Sequence, residues 1–173
     1  NVGAGDFTLT ARIKTRHDGT ILAQTTSSLV WPHDGLTWFI RNGKLTVDIG
    51  WVGAFSGNRR VADGKWHDLA FCYAAKTGTI RFYIDGKPEQ RTGKLRRKAP
   101  LKKPIVRIGC TAENFPRRSF FDGTIKEVRF FNSVLGDDEI KHLDGQRPAA
   151  HWELGSVVAS GVSDKTGNGH AAT

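Results

Sequence analysis

Residues 36–49 read LTWFIRNGKLTVDI, two alternating runs joined by Asn42-Gly43. Asn-Gly is the strongest short-range hairpin signal, because both residues tolerate the positive φ that a two-residue turn demands. The turn sets the register: Arg41 faces Lys44, Ile40 faces Leu45, Trp38 faces Val47 and Leu36 faces Ile49. One face then carries Leu36, Trp38, Ile40, Leu45, Val47 and Ile49, and the other Thr37, Arg41, Lys44, Thr46 and Asp48. A face so apolar must be covered. Trp38 is expected in the core, and Trp51, which shares its parity, in the core or at its edge. Trp31 precedes Pro32, His33, Asp34 and Gly35 in an irregular connection, and it remains the candidate platform for a ligand.

The rest of the chain repeats the theme. FTLTARIKT (7–15) alternates at period two, and TILAQ follows the His17-Asp18-Gly19 turn. DGKWHDLAFCY (63–73) runs from a turn into a strand, and TIRFYIDGKPEQ contains a second hairpin turn at Asp85-Gly86. Further strands are predicted in PIVRIGC (104–110), over 125–131 and at HWEL (151–154), with a short helix near Asp137 that has acids in its first turn. About ten short strands and one small helix predict an all-β fold, an antiparallel two-sheet sandwich or jelly roll. A chain of 173 residues suits one domain. That domain is expected over 1–155, with 156–173 a Gly-rich tail that is either an edge strand of the same domain or the start of a following module.

Charge is unevenly placed. Residues 87–107 hold nine basic residues and one acid, Glu89, and so carry +8 of the formal +9. Two readings stand: a solvated run of like charges, or a patch that attracts an anionic glycan, nucleic acid or membrane surface. No Phe, Tyr or Trp interleaves with the run, which speaks against base stacking and leaves acidic glycan as the better fit. No apolar stretch is long enough to span a bilayer, and no basic-then-apolar leader opens these residues, so any secretion signal would lie outside them. Cys72 and Cys110 are compatible with a disulfide or with two buried thiols.

Segments DFTLTARIKT, DGKWHDLAF, TGTIRFYIDGK and FDGTIKEVRFFNSVLGDDEI, in that order, resemble the laminin-G-like and pentraxin group of concanavalin-A-type jelly rolls. The closing cassette, Phe121 to Ile140, is the most specific part. The resemblance implies two sheets of six or seven strands, with ligands bound by loops at one edge or on a concave face. In pentraxins that edge holds calcium through acids from two loops. Carried over, Asp34 occupies one loop, and Glu113 and Asn114 the other, so these three are the candidate metal ligands for Ca2+. Arg117 and Arg118 stand where a double calcium site would want more carboxylates. In bacterial laminin-G-like modules, a segment resembling residues 151–172 opens the domain instead of closing it.

No catalytic constellation is present. The glutamates (Glu89, Glu113, Glu127, Glu139, Glu153) lack the two-glutamates-around-aspartate strand of jelly-roll glucanases, and the six histidines form no HxH or HExxH pair. The chain is therefore expected to be a non-enzymatic carbohydrate-binding or adhesion module of a larger exported bacterial protein, working outside the cell, in the periplasm or at the cell surface. Its partners would be a glycan or polysaccharide of acidic (sulfated or sialylated) type and a neighbouring domain of the parent chain; the alternative is a structural or protein-docking domain. The expected site is Trp31, His33, Asp34, Glu113, Asn114, Arg117 and Arg118, with the tryptophan facing a sugar ring and the arginines holding an anionic group.

Overall fold

The structure, a computed structural model, describes residues 5–27, 30–117, 120–155, 164–170 and 172. In chain order the strands are β1 (Phe7–Thr15), β2 (Gly19–Thr25), β3 (Leu36–Arg41), β4 (Lys44–Ile49), β5 (Gly53–Arg60), β6 (Trp66–Ala74), β7 (Thr79–Ile84), β8 (Lys87–Lys94), β9 (Ile105–Ile108), β10 (Gly123–Phe131) and β11 (Ala150–Glu153). Helix α1 (Asp137–Lys141) and a 3-10 turn (Leu143–Gly145) separate the last two. They form two antiparallel sheets, six-stranded in the order β11-β10-β1-β6-β7-β8 and five-stranded in the order β5-β4-β3-β2-β9. The architecture is the antiparallel jelly-roll sandwich that alternation predicts. Its second sheet has five strands among the described residues, where the family resemblance implies six or seven.

The hairpin register is as derived, with Arg41 opposite Lys44, Ile40 opposite Leu45, Trp38 opposite Val47 and Leu36 opposite Ile49. Asn42 and Gly43 lie at φ of 53° and 75°, and Asp85 and Gly86 at 54° and 71°, the left-handed pair that matches the twist of the flanking strands. Inward-facing residues of both sheets make one core, in which Trp38, Phe71, Phe82, Val128 and Trp152 are fully buried. β5 lacks a strong alternating signal, since GAFSGNRR offers little but Phe55 to the core. Its place is secured across the open side of the sandwich: a Cβ on Gly93 of β8 would sit 2.3 Å from the Phe55 ring. Glu89, the lone acid of the basic run, is buried and accepts the Asn58 and Arg59 N–H groups of β5, the latter at 2.9 Å.

The basic run is therefore not a single loop. Residues 87–94 are an edge strand, and 95–104 form a strap tied down by Arg97, whose guanidinium donates to the Asp34 carbonyl (2.6 and 2.9 Å) and to Gln24 Oε1 (2.7 Å). Burial of this side chain lowers its pKa from the ordinary arginine value, partly countered by Tyr73 and Asp34. The two cysteines are not bonded to each other. Cys72 lies under α1 with Ala70, Tyr83, Phe131, Leu135 and Ile140, where burial pushes its thiol up to about 11 and leaves it unreactive.

Asp164 accepts N–H groups from His151 (3.0 Å), Thr166 (3.0 Å) and His170 (3.3 Å), and the Trp152 indole N–H donates to the His170 carbonyl at 2.6 Å. Burial alone would raise the Asp164 pKa, but these N–H groups and the Thr166 hydroxyl outweigh it and hold it low. Residues 164–170 thus lie against β11, and Ala172 is in the core. Among the described residues no helix is long and apolar enough to cross a membrane.

Candidate functional site

The outer face of the five-stranded sheet carries Thr37, Phe39 and Arg41 from β3, and Lys44, Thr46 and Asp48 from β4. Phe39 is the apolar exception on this face, and it explains the path of the loop after β9. That loop crosses the sheet with Thr111 hydrogen-bonded to Thr37 (2.9 Å) and Phe115 edge-on to Phe39 (centroids 5.2 Å apart). Trp31 packs edge-on against Phe115 at 5.0 Å, so Trp31, Phe39, Ala112 and Phe115 form a small second core on the outside of the sheet.

This packing corrects the tryptophan assignments. Trp31 is only 6% exposed, so its ring is spent mainly on packing and only its margin borders the cavity beside Trp51. Trp51, expected in or near the core, is 62% exposed. The reason is local: the chain leaves β4 in a tight turn at residues 50–52, and Trp51 takes a φ of 57°, which breaks the strand parity and throws its ring outward. His33 stacks on one face of that ring, with centroids 4.3 Å apart and planes 29° from parallel. The indole's exposure is therefore on its other face.

The remaining expected residues divide. Asp34 ties loops: its Oδ1 accepts the Lys98 N–H at 2.8 Å and its carbonyl accepts Arg97. Asn114 does likewise, its Oδ1 accepting the Trp31 N–H at 2.6 Å. Glu113 is exposed, and Arg118 lies outside the described residues. Calcium fits this arrangement poorly, because two of its three candidate oxygen donors already serve backbone N–H groups. Among the described residues no three His, Cys, Asp or Glu side chains are grouped to hold a metal ion.

A trough lies between the loop after β9 and strands β4 and β5. At one end a cavity of about 560 Å³ is bordered by Trp31, Trp51, Val52, Asn114, Pro116 and Asp48. At the other a cavity of about 570 Å³ is bordered by Arg41, Lys44, Ser56, Asn58, Arg91 and Arg117. Among the described residues none of those four cations is in an ion pair. Arg41 donates to Ser56 Oγ (3.0 Å), and Arg91 lies 5.3 Å from the centre of the Phe55 ring. Asp18, the acid beside them, spends both carboxylate oxygens on the Asn42 and Gly43 N–H groups of the hairpin turn. Asp48 stands between the two ends. Burial raises its pKa above the ordinary carboxylate value, with Arg41 and Arg117 pulling the other way.

Arg41 and Asp48 were legible from the hairpin register as outward-facing residues, but nothing marked them as site residues. Phe39 was a readable clue, an aromatic on an otherwise polar face that calls for a cover. The arrangement as a whole offers an exposed indole for a sugar ring and, for an anion, guanidinium groups that lie outside ion-pair distance of any carboxylate among the described residues.

The comparisons agree with this architecture. A pentraxin-containing rat protein, the sushi, von Willebrand factor type A, EGF and pentraxin domain-containing protein 1, is 28% identical over 137 residues, covering 70% of this chain and 4% of that protein. This chain therefore spans a small fraction of that relative. Among solved structures, a candidate carbohydrate-binding protein from Bacteroides ovatus superposes with a TM-score of 0.71 at 17% identity, covering 98% of this chain and 52% of that one. The CBM40 of a Ruminococcus gnavus IT-sialidase, bound to α2,3-sialyllactose, gives 0.66 at 14% identity, covering 82% and 84%. The Laminin_G_3 profile matches residues 1–141, most of the chain, and the protein belongs to that family of the concanavalin A-like lectin/glucanases superfamily.

Proposed function

We propose that this chain is a non-catalytic carbohydrate-binding module of a larger exported protein, and that the trough beside Trp51 takes an acidic glycan. The carrying observation is an exposed, His33-backed indole bordering one cavity and, in a second cavity on the same face, four cations that among the described residues lie outside ion-pair distance of any carboxylate. A sugar ring stacks on the free face of Trp51, and a carboxylate or sulfate substituent meets Arg41 and Arg117. The R. gnavus module of the same fold is bound to a sialylated sugar, which supports an acidic ligand class by analogy of fold. Long-range attraction from the strap at residues 95–104 adds to the association rate, and affinity falls steeply with salt.

A glycan array that includes sulfated and sialylated saccharides tests this, run with calcium and again with a chelator. Binding to acidic glycans is expected in both conditions, and Trp51→Ala should weaken it by about 30-fold, the typical effect of removing a central aromatic contact. A blank array from the folded protein would transfer the assignment to a docking or spacer domain.

A further inference from the structure

The outer face of the six-stranded sheet holds a different depression. A cavity of about 720 Å³ lies between this face and the α1 region, floored by Thr10 and Arg12 of β1, Asp68 of β6, and Glu127 and Arg129 of β10. Arg12 also borders a second cavity of about 410 Å³, and Trp66 is shared by that one and a third of about 450 Å³. The three make one groove along β1 from Thr10 to Lys14, a run of roughly 13 Å at the usual rise of a strand. That length suits an oligosaccharide better than a single ring.

Trp66 is 41% exposed at the far end, where its parity with Asp68 turns it away from the core. The Arg12 guanidinium lies 5.9 Å from the centre of its ring. The main cavity is lined by four acids and four bases, paired where they meet: Arg12 with Asp68 at 3.1 Å, and Arg129 with Glu127 at 3.1 Å and Asp144 at 3.4 Å. Arg129 spends its guanidinium on Glu127, Asp144 and the Leu143 carbonyl, and Glu127 also meets His151 at 2.8 Å, whereas Arg12 engages Asp68 through Nη1 alone and keeps N–H groups beside the carboxylate's remaining lone pairs. A sugar hydroxyl both donates and accepts, so neighbouring hydroxyls can bridge such a pair without breaking it. At Arg12 and Arg129 an anion would have to displace a carboxylate already in place, exchanging one ion pair for another with little gain; Lys87, at the β7–β8 turn, is the cation of this cavity that has no ion pair among the described residues. Lys14 and Lys126 are exposed at the Trp66 end, outside this paired section.

We propose that this groove is a second glycan site, independent of the trough beside Trp51, and that its ligand is an uncharged polysaccharide held by Trp66 and by the Arg12–Asp68 pair. The test is native affinity electrophoresis of the whole chain in gels containing arabinoxylan, galactomannan or mixed-linkage β-glucan, with polygalacturonate as the anionic control. Retardation by at least one neutral polymer is expected. Trp66→Ala should weaken it by about 30-fold and Asp68→Ala by about tenfold, while Trp51→Ala leaves it unchanged. Thermal unfolding of each variant establishes that it is folded before the gels are compared. The proposal is overturned if no neutral polymer retards the wild type, if only polygalacturonate does, or if the folded Trp66→Ala and Asp68→Ala variants migrate as the wild type. Loss of retardation in Trp51→Ala alone would also overturn it.

Discussion

The two outer faces of the sandwich use similar side chains to opposite ends. On the six-stranded face, Arg12, Arg81, Arg129 and Lys141 all sit within ion-pair distance of carboxylates. Around the trough on the five-stranded face, Arg41, Lys44 and Arg117, with Arg91 reaching in from β8, do not among the described residues, and Asp48, the acid near them, is partly buried and holds its proton more tightly than usual. Paired charges make a locally neutral surface whose bonding capacity is spread among donors and acceptors. Unpaired cations make a surface whose field is satisfied only when something anionic arrives. The covering differs too: α1 closes one end of the first face, whereas on the second a loop rests on an aromatic tile.

Substitutions can break this contrast in graded steps. Phe39→Ala should act most strongly, because it removes the tile under Trp31 and Phe115; a loss of about 3–5 kcal/mol is expected by urea unfolding, and acidic-glycan binding should fall with it. Next comes Arg97→Ala, which leaves the Asp34 carbonyl and Gln24 without their buried partner. It should cost about 2–3 kcal/mol, and the strap should become protease-sensitive while Trp66 keeps its surroundings. Paired and unpaired cations should then separate in a single pair of variants. Arg117→Ala should weaken acidic-glycan binding by about tenfold and leave stability within about 0.5 kcal/mol, whereas Arg12→Ala should cost up to about 1 kcal/mol and leave acidic-glycan binding alone.

The smallest effect is one of pH. Because Asp48 has a raised pKa in the folded state, the native protein binds more protons than the unfolded chain between the ordinary carboxylate value and the raised one. Stability should rise slightly as pH falls through that window and decline as pH rises through it. Binding of a sulfated glycan should strengthen in the same direction, since protonation removes the one negative charge between Arg41 and Arg117. Asp48→Asn should flatten both dependences, measured by chemical unfolding and by titration calorimetry across mildly acidic pH.

Alternation and turn chemistry made the fold legible: Asn42-Gly43 and Asp85-Gly86 set two registers outright, and the cassette at 121–140 marked the family. β5 was missed because its two glycines and single large apolar residue leave no periodic signal, its position being decided by Glu89 and Gly93 from a strand thirty-odd residues later. The site was harder. Asp34 and Asn114 look like ligands in a sequence but serve as loop ties, a distinction made by which backbone N–H happens to lie opposite. Trp31 and Trp51 exchanged expected roles because strand parity was extended past a turn. Trp66 was readable, since it alternates with Asp68 on the outward side of β6, but a lone aromatic on one strand reveals nothing of the groove that six separated segments build around it.

The left-handed backbone at Trp51 has a consequence for how this protein would respond to selection. A side chain with a Cβ in that conformation costs about 1 kcal/mol that glycine would not incur. Trp51→Gly should therefore leave the fold as robust as before or slightly hardier, while stripping the trough of its aromatic wall. A library screened for heat resistance alone would tend to discard the ring, and one screened for ligand capture would keep it; the residue recovered at position 51 reports which demand was in force.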